Sequence, residues 1–424
     1  MGTKRRVMIS YSCVQASFWM NLCVFMGFAA VYLQSLGYSN ARIGVIMACG
    51  TLGGSLLGPE LSSLIDRSTA DRITAQSMTP PVLAAEAVAI VVLLLFPVKG
   101  LVTSVAFVLF IALSTSVNSL NLKLYTDAGY LGLDIDYGIA RSMGSLGYVV
   151  TSGVVGALCE SISARVVPAA GLILCACQFL TFLDFSRFLK AAEKVLPGDG
   201  AEDAELADGT EDAGRIESAG LAEAESAGGG SIIAFLVRNK RFSMVLIGTL
   251  LVFFAHSTMC NFFINIVRNV GGDIGVMGFL NGFMALVEIP VIFFFSRIAR
   301  KFRTESLLRA GFVIFTAKAA GIAAAGSVAG IAAALLLQAP SFGLYTAAIV
   351  PYVDMVIPHD DSAKAQSLAF SVTMLSSVFA SAISGRMFDV LPVSSVMWIV
   401  CAVSAVGSIV AYFGVQRHKY IKAE

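Results

Sequence analysis

This chain is short of charge. Of its 424 residues only 13% are Asp, Glu, Lys or Arg, against 57% hydrophobic, about half the charged share of a soluble domain. With a mean hydropathy of +0.81, a soluble fold is excluded and an integral membrane protein is expected. Net charge is +1, so the basic field that would hold DNA or RNA is missing. The eight cysteines (Cys13, Cys23, Cys49, Cys159, Cys175, Cys177, Cys260 and Cys401) form no CxxC pair and sit inside apolar runs. That argues against a disulfide framework or a zinc site and for free thiols used as small packing residues. No GxxxxGK[ST] cradle exists for a nucleotide phosphate, and the glycines of "GTLGGSLLG" lie within an apolar run and follow no strand. A nucleophile with its base, a metal cluster and a cofactor motif are likewise missing, so neither an enzyme nor a bound cofactor is expected.

What the chain has is long apolar runs. Stretches able to cross a bilayer, each about 20 residues, fall near 7–34, 41–64, 78–97, 101–122, 141–160 and 166–186, then near 243–268, 275–296, 306–327, 329–350, 364–387 and 393–415. They are continuous and do not alternate, which fits helices and not barrel strands. The first run, following "MGTKRRVMIS", is too long for a secretory leader and lacks a small-residue cleavage pattern, so it reads as the first span; Arg6 breaks a myristoylation signal. Between the two sets lies the acidic Ala/Gly-rich stretch "LPGDGAEDAELADGTEDAGRIESAGLAEAESAGGGS". It is too poor in large apolar residues to build a core, hence a solvated tether with room for some helix. The expected division is therefore 1–190 for one six-helix bundle, 191–230 for the linker and 231–424 for the second bundle.

Orientation follows the basic residues. Alternate loops carry Lys4, Arg5, Arg6; Arg67, Arg72; Lys123, Arg141; Arg187, Lys190, Lys194, Arg238, Lys240, Arg241; Arg297, Arg300, Lys301, Arg303; and Arg417, Lys419, Lys422. The other side holds Arg42, Lys99, Arg165, Arg268 and Arg386. Both termini and the linker are expected on the cytoplasmic side of a plasma (inner) membrane. Close helix approach is expected at Gly54 and Gly58, and along Gly144, Gly147, Gly153 and Gly156.

After the second run the chain reads "GPELSSLIDRSTADR", with Asp66 and Arg67 intact, and after the eighth "SRIARK" keeps the spacing without the acid. The fifth run opens "YGIARSMGSLGYVV". Two six-span halves with these loops resemble the major facilitator superfamily. The fifth-run segment is similar to "YGRxRxxGSxG" of its oligosaccharide and nucleoside proton symporters, the lactose permease branch. "ALVEIPVIFFFSRI", "LLRAGFVIFTAK", "LLLQAPSFGLY" and "SAKAQSLAFSV" echo the same branch. The resemblance implies a fold of 12 transmembrane helices in two bundles, an Asp66–Arg67 loop that latches one conformation, and a solute contact for Arg141. Where that branch pairs the arginine with a glutamate on helix 4, an ungapped match gives Lys123 and the nearest acid is Asp127. The helix 10 histidine corresponds to Gln338, its neighbouring acid falls near Ser341 and the helix 11 lysine near Thr373, so lactose itself is not implied. The helix 8 acid is displaced by one turn, at Glu288, and the helix 9 arginine becomes Lys318, one position off. Sugar-porter PESPR-like and PETKG-like endings are absent, and "SGVVGAL" replaces the antiporters' GPxxGP.

An ionisable group near the bilayer centre costs about 2.5–3.5 kcal/mol on insertion scales, so each needs a reason. Glu86, Glu288, Lys318 and, about 9 Å in from Asp66 at 1.5 Å per residue, Glu60 make up the list. Glu288 and Lys318 lie on consecutive helices at similar depth. An ion pair that spares both the cost of isolated burial and a site that binds and releases a proton are compatible readings. Arg141 reads as a snorkelling anchor by hydropathy and as a solute clamp by resemblance, since its five donors suit hydroxyls or carboxylates. His256 fits a packing histidine or a proton site, and Trp19 a core residue or a stacking face for a ring. Asn281 shares a face of helix 8 with Glu288, seven residues on; with Gln15, Asn21, Asn118, Asn121, Asn261 and Gln338 it suits either interhelical bonding or a hydroxyl-rich solute.

The expectation is a secondary transporter: proton-coupled import of a small polar solute such as a saccharide or nucleoside, by alternating access around a midplane site. Arg141, Asp127, Gln338, Asn281, Trp19 and His256 would contact solute. Glu288, Lys318, Glu86 and Glu60 would couple the proton, and Asp66 with Arg67 would latch. Partners are the solute, the proton and the lipid bilayer, with no nucleic acid, no metal and a monomeric chain. The alternatives are an exporter or antiporter of amphipathic molecules and a non-transporting receptor or scaffold.

Overall fold

The computed structural model describes residues 3–67, 73–194 and 231–416. Twelve helices among them are long and apolar enough to cross a membrane: α1 (Lys4–Ser35), α2 (Asn40–Asp66), α3 (Ala75–Leu95), α4 (Leu101–Tyr130), α5 (Tyr137–Ser161), α6 (Val166–Glu193), α7 (Lys240–Asn261), α8 (Ile274–Val291), α9 (Thr304–Ala324), α10 (Val328–Val356), α11 (His359–Val390) and α12 (Val393–Gly414). Short helices at Ile232–Arg238, Phe263–Asn269 and Phe295–Lys301 precede α7, follow it, and follow α8. Most of the linker, along with Arg72, Arg417, Lys419 and Lys422, lies outside the described residues.

Helices form here because hydrocarbon offers no partner for a backbone N–H or C=O, and an α-helix satisfies both internally. Side chains settle the ends. Ser39 caps α2 by accepting from Arg42 N, Thr74 and Ser77 close a capping box on α3, and Asp136 accepts from Ile139 N at the head of α5. Outward-facing positions such as Val88, Leu95, Val154, Ile173, Leu180 and Phe413 are apolar and exposed, as contact with lipid demands.

Contacts repeat after six helices. In the first half α2 packs on α4, α1 on α5 and α6, and α3 on α4 and α6. The second half packs α8 on α10, α7 on α11 and α12, and α9 on α10 and α12. The halves meet through α2 with α11 and α5 with α8, pairs that the same six-helix shift exchanges. Cross-half hydrogen bonds run from the α2 head, where Asn40 N and Ala41 N donate to Asp389, down to Asn281 Nδ2 donating to Tyr148 Oη at 3.1 Å. The outermost join the start of α2 and α8 to the end of α11 and α5, and the end of α1 at Gln34 to Asn265 and Arg268 after α7, hence the face opposite Lys4. On the Lys4 face the ion pairs Lys4–Asp134, Lys123–Asp66 and Arg238–Asp361 each stay within one half.

Several sequence expectations shift in detail. Helix α4 runs to Tyr130, past the expected 122, because polar Asn121, Lys123 and Asp127 continue a helix that has left the apolar layer. The seventh run breaks at Asn261, so 263–269 forms a separate turn. All eight cysteines are free, but Cys13, Cys49 and Cys177 are exposed, so those three face outward and do not pack the core. Gly153 meets nothing within 4 Å of a Cβ position, whereas Gly144, Gly147 and Gly156 each face a packed neighbour.

Candidate functional site

Two spans lose their α-helical register at the same depth as the interior polar groups. α1 widens into a π-turn over Cys23–Gly27, and α10 does so over Ala339–Gly343, directly after Gln338. A π-turn adds one residue to the ring and re-aims its neighbours; Pro340, which lacks an N–H, helps open that turn. Gln338 is thereby delivered into the second half, where it is 1% exposed.

There Gln338 accepts at Oε1 from Lys318 Nζ (2.5 Å) and donates from Nε2 to Glu288 Oε1 (2.6 Å). Lys318, also 1% exposed, donates on its other side to His256 Nδ1 at 3.2 Å. An ammonium only donates, so His256 offers a bare Nδ1 and carries its proton on Nε2. Glu288 of α8, Gln338 of α10, Lys318 of α9 and His256 of α7 thus form one chain across four helices. Aromatic rings surround its buried end: His256 sits 5.7 Å from Phe315 and 5.1 Å from Phe342, and Lys318 Nζ lies 4.8 Å from the Phe315 centroid. The ion pair expected between Glu288 and Lys318 is therefore indirect, because the Gln338 amide stands between them.

Across the interface, Arg141 of α5 lies with its guanidinium carbon 3.7 Å from the centroid of Trp19 of α1, and donates to Ser145 Oγ at 3.2 Å. Gly144 makes this possible, since a Cβ there would fall 2.4 Å from Trp19 Cδ1. Arg141 is also within Coulombic reach of Glu288. Arg141, stacked on Trp19 and bonded to Ser145, thus belongs to the half opposite Glu288. Asn281, one face of α8 above Glu288, is turned to the same half through Tyr148.

The remaining predicted residues are placed elsewhere. Asp127 lines a cavity of about 290 Å³ with Asp66, Lys123, Gln76, Tyr130 and Glu193, on the Lys4 face, away from the Trp19 ring where Arg141 sits. Asp66 pairs with Lys123 at 2.5 Å within its own half, and Arg67 ends α2 with its N–H on Ser63 O. Glu60 is exposed on α2, following Pro59. Glu86 is fully buried but belongs to the first half: Asn21 of α1 donates to it at 2.8 Å and to Gln178 of α6 at 3.2 Å. Among the described residues no group of His, Cys, Asp and Glu could hold a metal. Sequence reading missed Tyr148, Ser145 and the Phe315–Phe342 cage, which comes from helices other than the one that carries His256.

This fold and its paired interior site define a membrane transporter of the major facilitator type. The sequence model of the MFS_1 like family matches residues 8–399, and the chain belongs to that family. Among solved structures it is similar to the nucleoside transporter NupG, whose D323A mutant superposes with a TM-score of 0.74 at 12% identity, over 97% of this chain and 100% of that one. It is also similar to the POT family transporter PepTSo (TM-score 0.70, 11% identity, 99% and 100% covered). A bacterial homolog of the human lysosomal transporter Spinster, described as inward-facing and unoccupied, gives 0.62 at 13% identity over 97% and 95%. No curated protein matches the sequence. At these identities the structural likeness establishes the fold alone.

Proposed function

We propose that this chain is a proton-coupled symporter that imports a small polar solute of the nucleoside or saccharide class, as a monomer in the plasma membrane with both termini cytoplasmic. The observation that carries the reading is the chain Glu288–Gln338–Lys318–His256, ending opposite Arg141. Glu288 takes the proton. As a carboxylate it accepts from Gln338 Nε2; as an acid it keeps an accepting oxygen and gains an O–H, whose acceptor in this scheme is Gln338 Oε1. Rotating the amide to supply that oxygen turns Nε2, a donor, toward the Lys318 ammonium. Two donors cannot face each other, so Lys318 leaves the amide and needs a new acceptor. A solute hydroxyl or carbonyl oxygen supplies it, while Arg141 on its Trp19 platform holds the solute from the other half. Proton and solute are thereby made to bind together, which is the requirement of symport.

The solute class is supported by the neutral polar groups of Asn281, Tyr148, Ser145 and Gln338, which can pair with hydroxyls without demanding a counter-charge, and by the likeness to a solved nucleoside transporter. One proton entering down a 100 mV potential supplies about 2.3 kcal/mol, enough for roughly fiftyfold accumulation of a neutral solute. Glu86, sealed among Asn21 and Gln178, braces the first half, and Glu60 lies too exposed for a coupling role.

Proton uptake by vesicles on addition of nucleosides, saccharides and aromatic acids tests the reading. A signal for one class in the parent and its loss in Glu288→Gln is the expected outcome; equal signals in both proteins remove that carboxylate from the mechanism.

A further inference from the structure

Two of the cross-half contacts on the face opposite Lys4 are built to one plan. At the head of α2, Ser39 Oγ accepts from Arg42 N, three residues on, and at the head of α8, Asp273 Oδ1 accepts from Val276 N, again three residues on. Each local cap leaves the first N–H groups free, and a helix head presents them as a partial positive charge. In both cases the other half fills the vacancy. Asp389, from α11, accepts from Asn40 N and Ala41 N at 2.9 Å each and from Asn40 Nδ2 at 3.1 Å. Glu160, from α5, accepts from Ile274 N at 3.0 Å.

The spacing below these contacts repeats too. Four residues into each receiving helix lies a glycine, Gly44 or Gly278; four residues before each acid lies another, Gly385 or Gly156. The pairs oppose each other: a Cβ on Gly44 would fall 2.0 Å from Ser381 O and 3.4 Å from Gly385 Cα, and one on Gly156 would fall 2.8 Å from Gly278 Cα. A further turn back stands a serine in both. Ser152 Oγ donates to Gly278 O at 2.8 Å, and Ser381 puts its carbonyl against Gly44. In the sequence these are "SGVVGALCE" and "SAISGRMFD", S-x3-G-x3-[DE] in each half.

We propose that Asp389 and Glu160 are paired clasps, each seating a carboxylate on the helix head of the opposite half, and that together they hold the transporter closed on the face opposite the termini. The glycines let the helices approach until the acid reaches the N–H groups, so each clasp works only at full closure and weakens as the halves part. Asp389, with three bonds, is the stronger of the two.

Distances between spin labels at Lys99→Cys and Gly326→Cys test this without solute or proton gradient, so the outcome is independent of the coupling scheme. Both sites are exposed loops on that face, in opposite halves, and Gly326 has open space around it; Cys13, Cys49 and Cys177 are first changed to serine. The parent should give one short distance. Asp389→Ala with Glu160→Ala should move the long-to-short ratio about tenfold or more, equivalent to about 1.4 kcal/mol, Asp389→Ala alone should move it further than Glu160→Ala alone, and Asp389→Glu should restore it in part. An unchanged distribution in the double variant overturns the proposal. Should that variant not fold, an unchanged distribution in Asp389→Ala alone does the same.

Discussion

Glu288 and Lys318 share a single amide. Gln338 donates to the first at 2.6 Å and accepts from the second at 2.5 Å, so one neutral side chain links a buried carboxylate to a buried ammonium. Gln338→Leu removes both bonds at once. A buried polar group left without a partner costs about 1–3 kcal/mol; here Glu288 loses the amide donor and Lys318 is left with His256. The expected result is a melting temperature lowered by several degrees in detergent and uptake reduced more than tenfold. Gln338→Glu distinguishes relay from filler: it gives Lys318 a direct ion partner but sets a second carboxylate against Glu288, so the two acids must share one proton and uptake should be lost. Uptake at parental levels in the Glu variant would show that the amide does not need to turn.

The connection between Glu288 and Lys318 should also appear as non-additivity. Residues sharing one network show interaction energies of about 0.5–3 kcal/mol, whereas distant sites add to within about 0.5 kcal/mol. Glu288→Gln, Lys318→Met and the pair, measured by thermal or denaturant unfolding, form the cycle. The double variant is expected to be more stable than the sum of the singles predicts, because removing both charges leaves neither one buried alone.

Much of this arrangement could be read from the chain before any coordinates. Spans followed from the length of the apolar runs, and Glu288, Lys318, His256 and Gln338 stood out because lipid penalises such groups unless they have company. Which company each keeps was not legible. Glu288 and Lys318 were expected to meet directly, since helices 8 and 9 are consecutive and the depths agree; that Gln338 intervenes depends on a π-turn at Ala339–Gly343, which no periodicity announces. The resemblance offers Asp127 as the acid nearest the place of the helix 4 glutamate that pairs with this arginine. In the fold, α4 extends to Tyr130 and carries Asp127 toward Lys123 and Asp66. The clasps were hidden differently: Asp389 and Glu160 sit at helix ends, where acids are unremarkable, and only their placement against the opposite half gives them meaning.

Arg141 over Trp19 yields a spectroscopic test. The chain has two tryptophans, and Trp398 is exposed, so Trp398→Phe leaves Trp19 as the sole indole reporter. Its emission should change on adding a transported solute and should not change with an untransported one. A cation over an indole contributes about 0.5–2 kcal/mol, so Arg141→Lys, which keeps the charge but loses the planar stack, should weaken solute binding about threefold to thirtyfold. Retained affinity would return Arg141 to the role of an interfacial anchor.

Gly144 tests the same platform from behind. A Cβ at this position would lie 2.4 Å from Trp19 Cδ1 and 3.0 Å from Cγ, so Gly144→Ala must push the indole ring away from α5. Overpacking of this kind costs about 1–3 kcal/mol. The informative reading is the balance between binding and turnover: a displaced ring should raise the solute concentration needed for half-maximal uptake, with the maximal rate changed less, because the Glu288–Gln338–Lys318 chain in the other half is untouched. A fall in the maximal rate alone, with half-saturation unchanged, would mean that Gly144 serves the movement of α5 and not the solute platform.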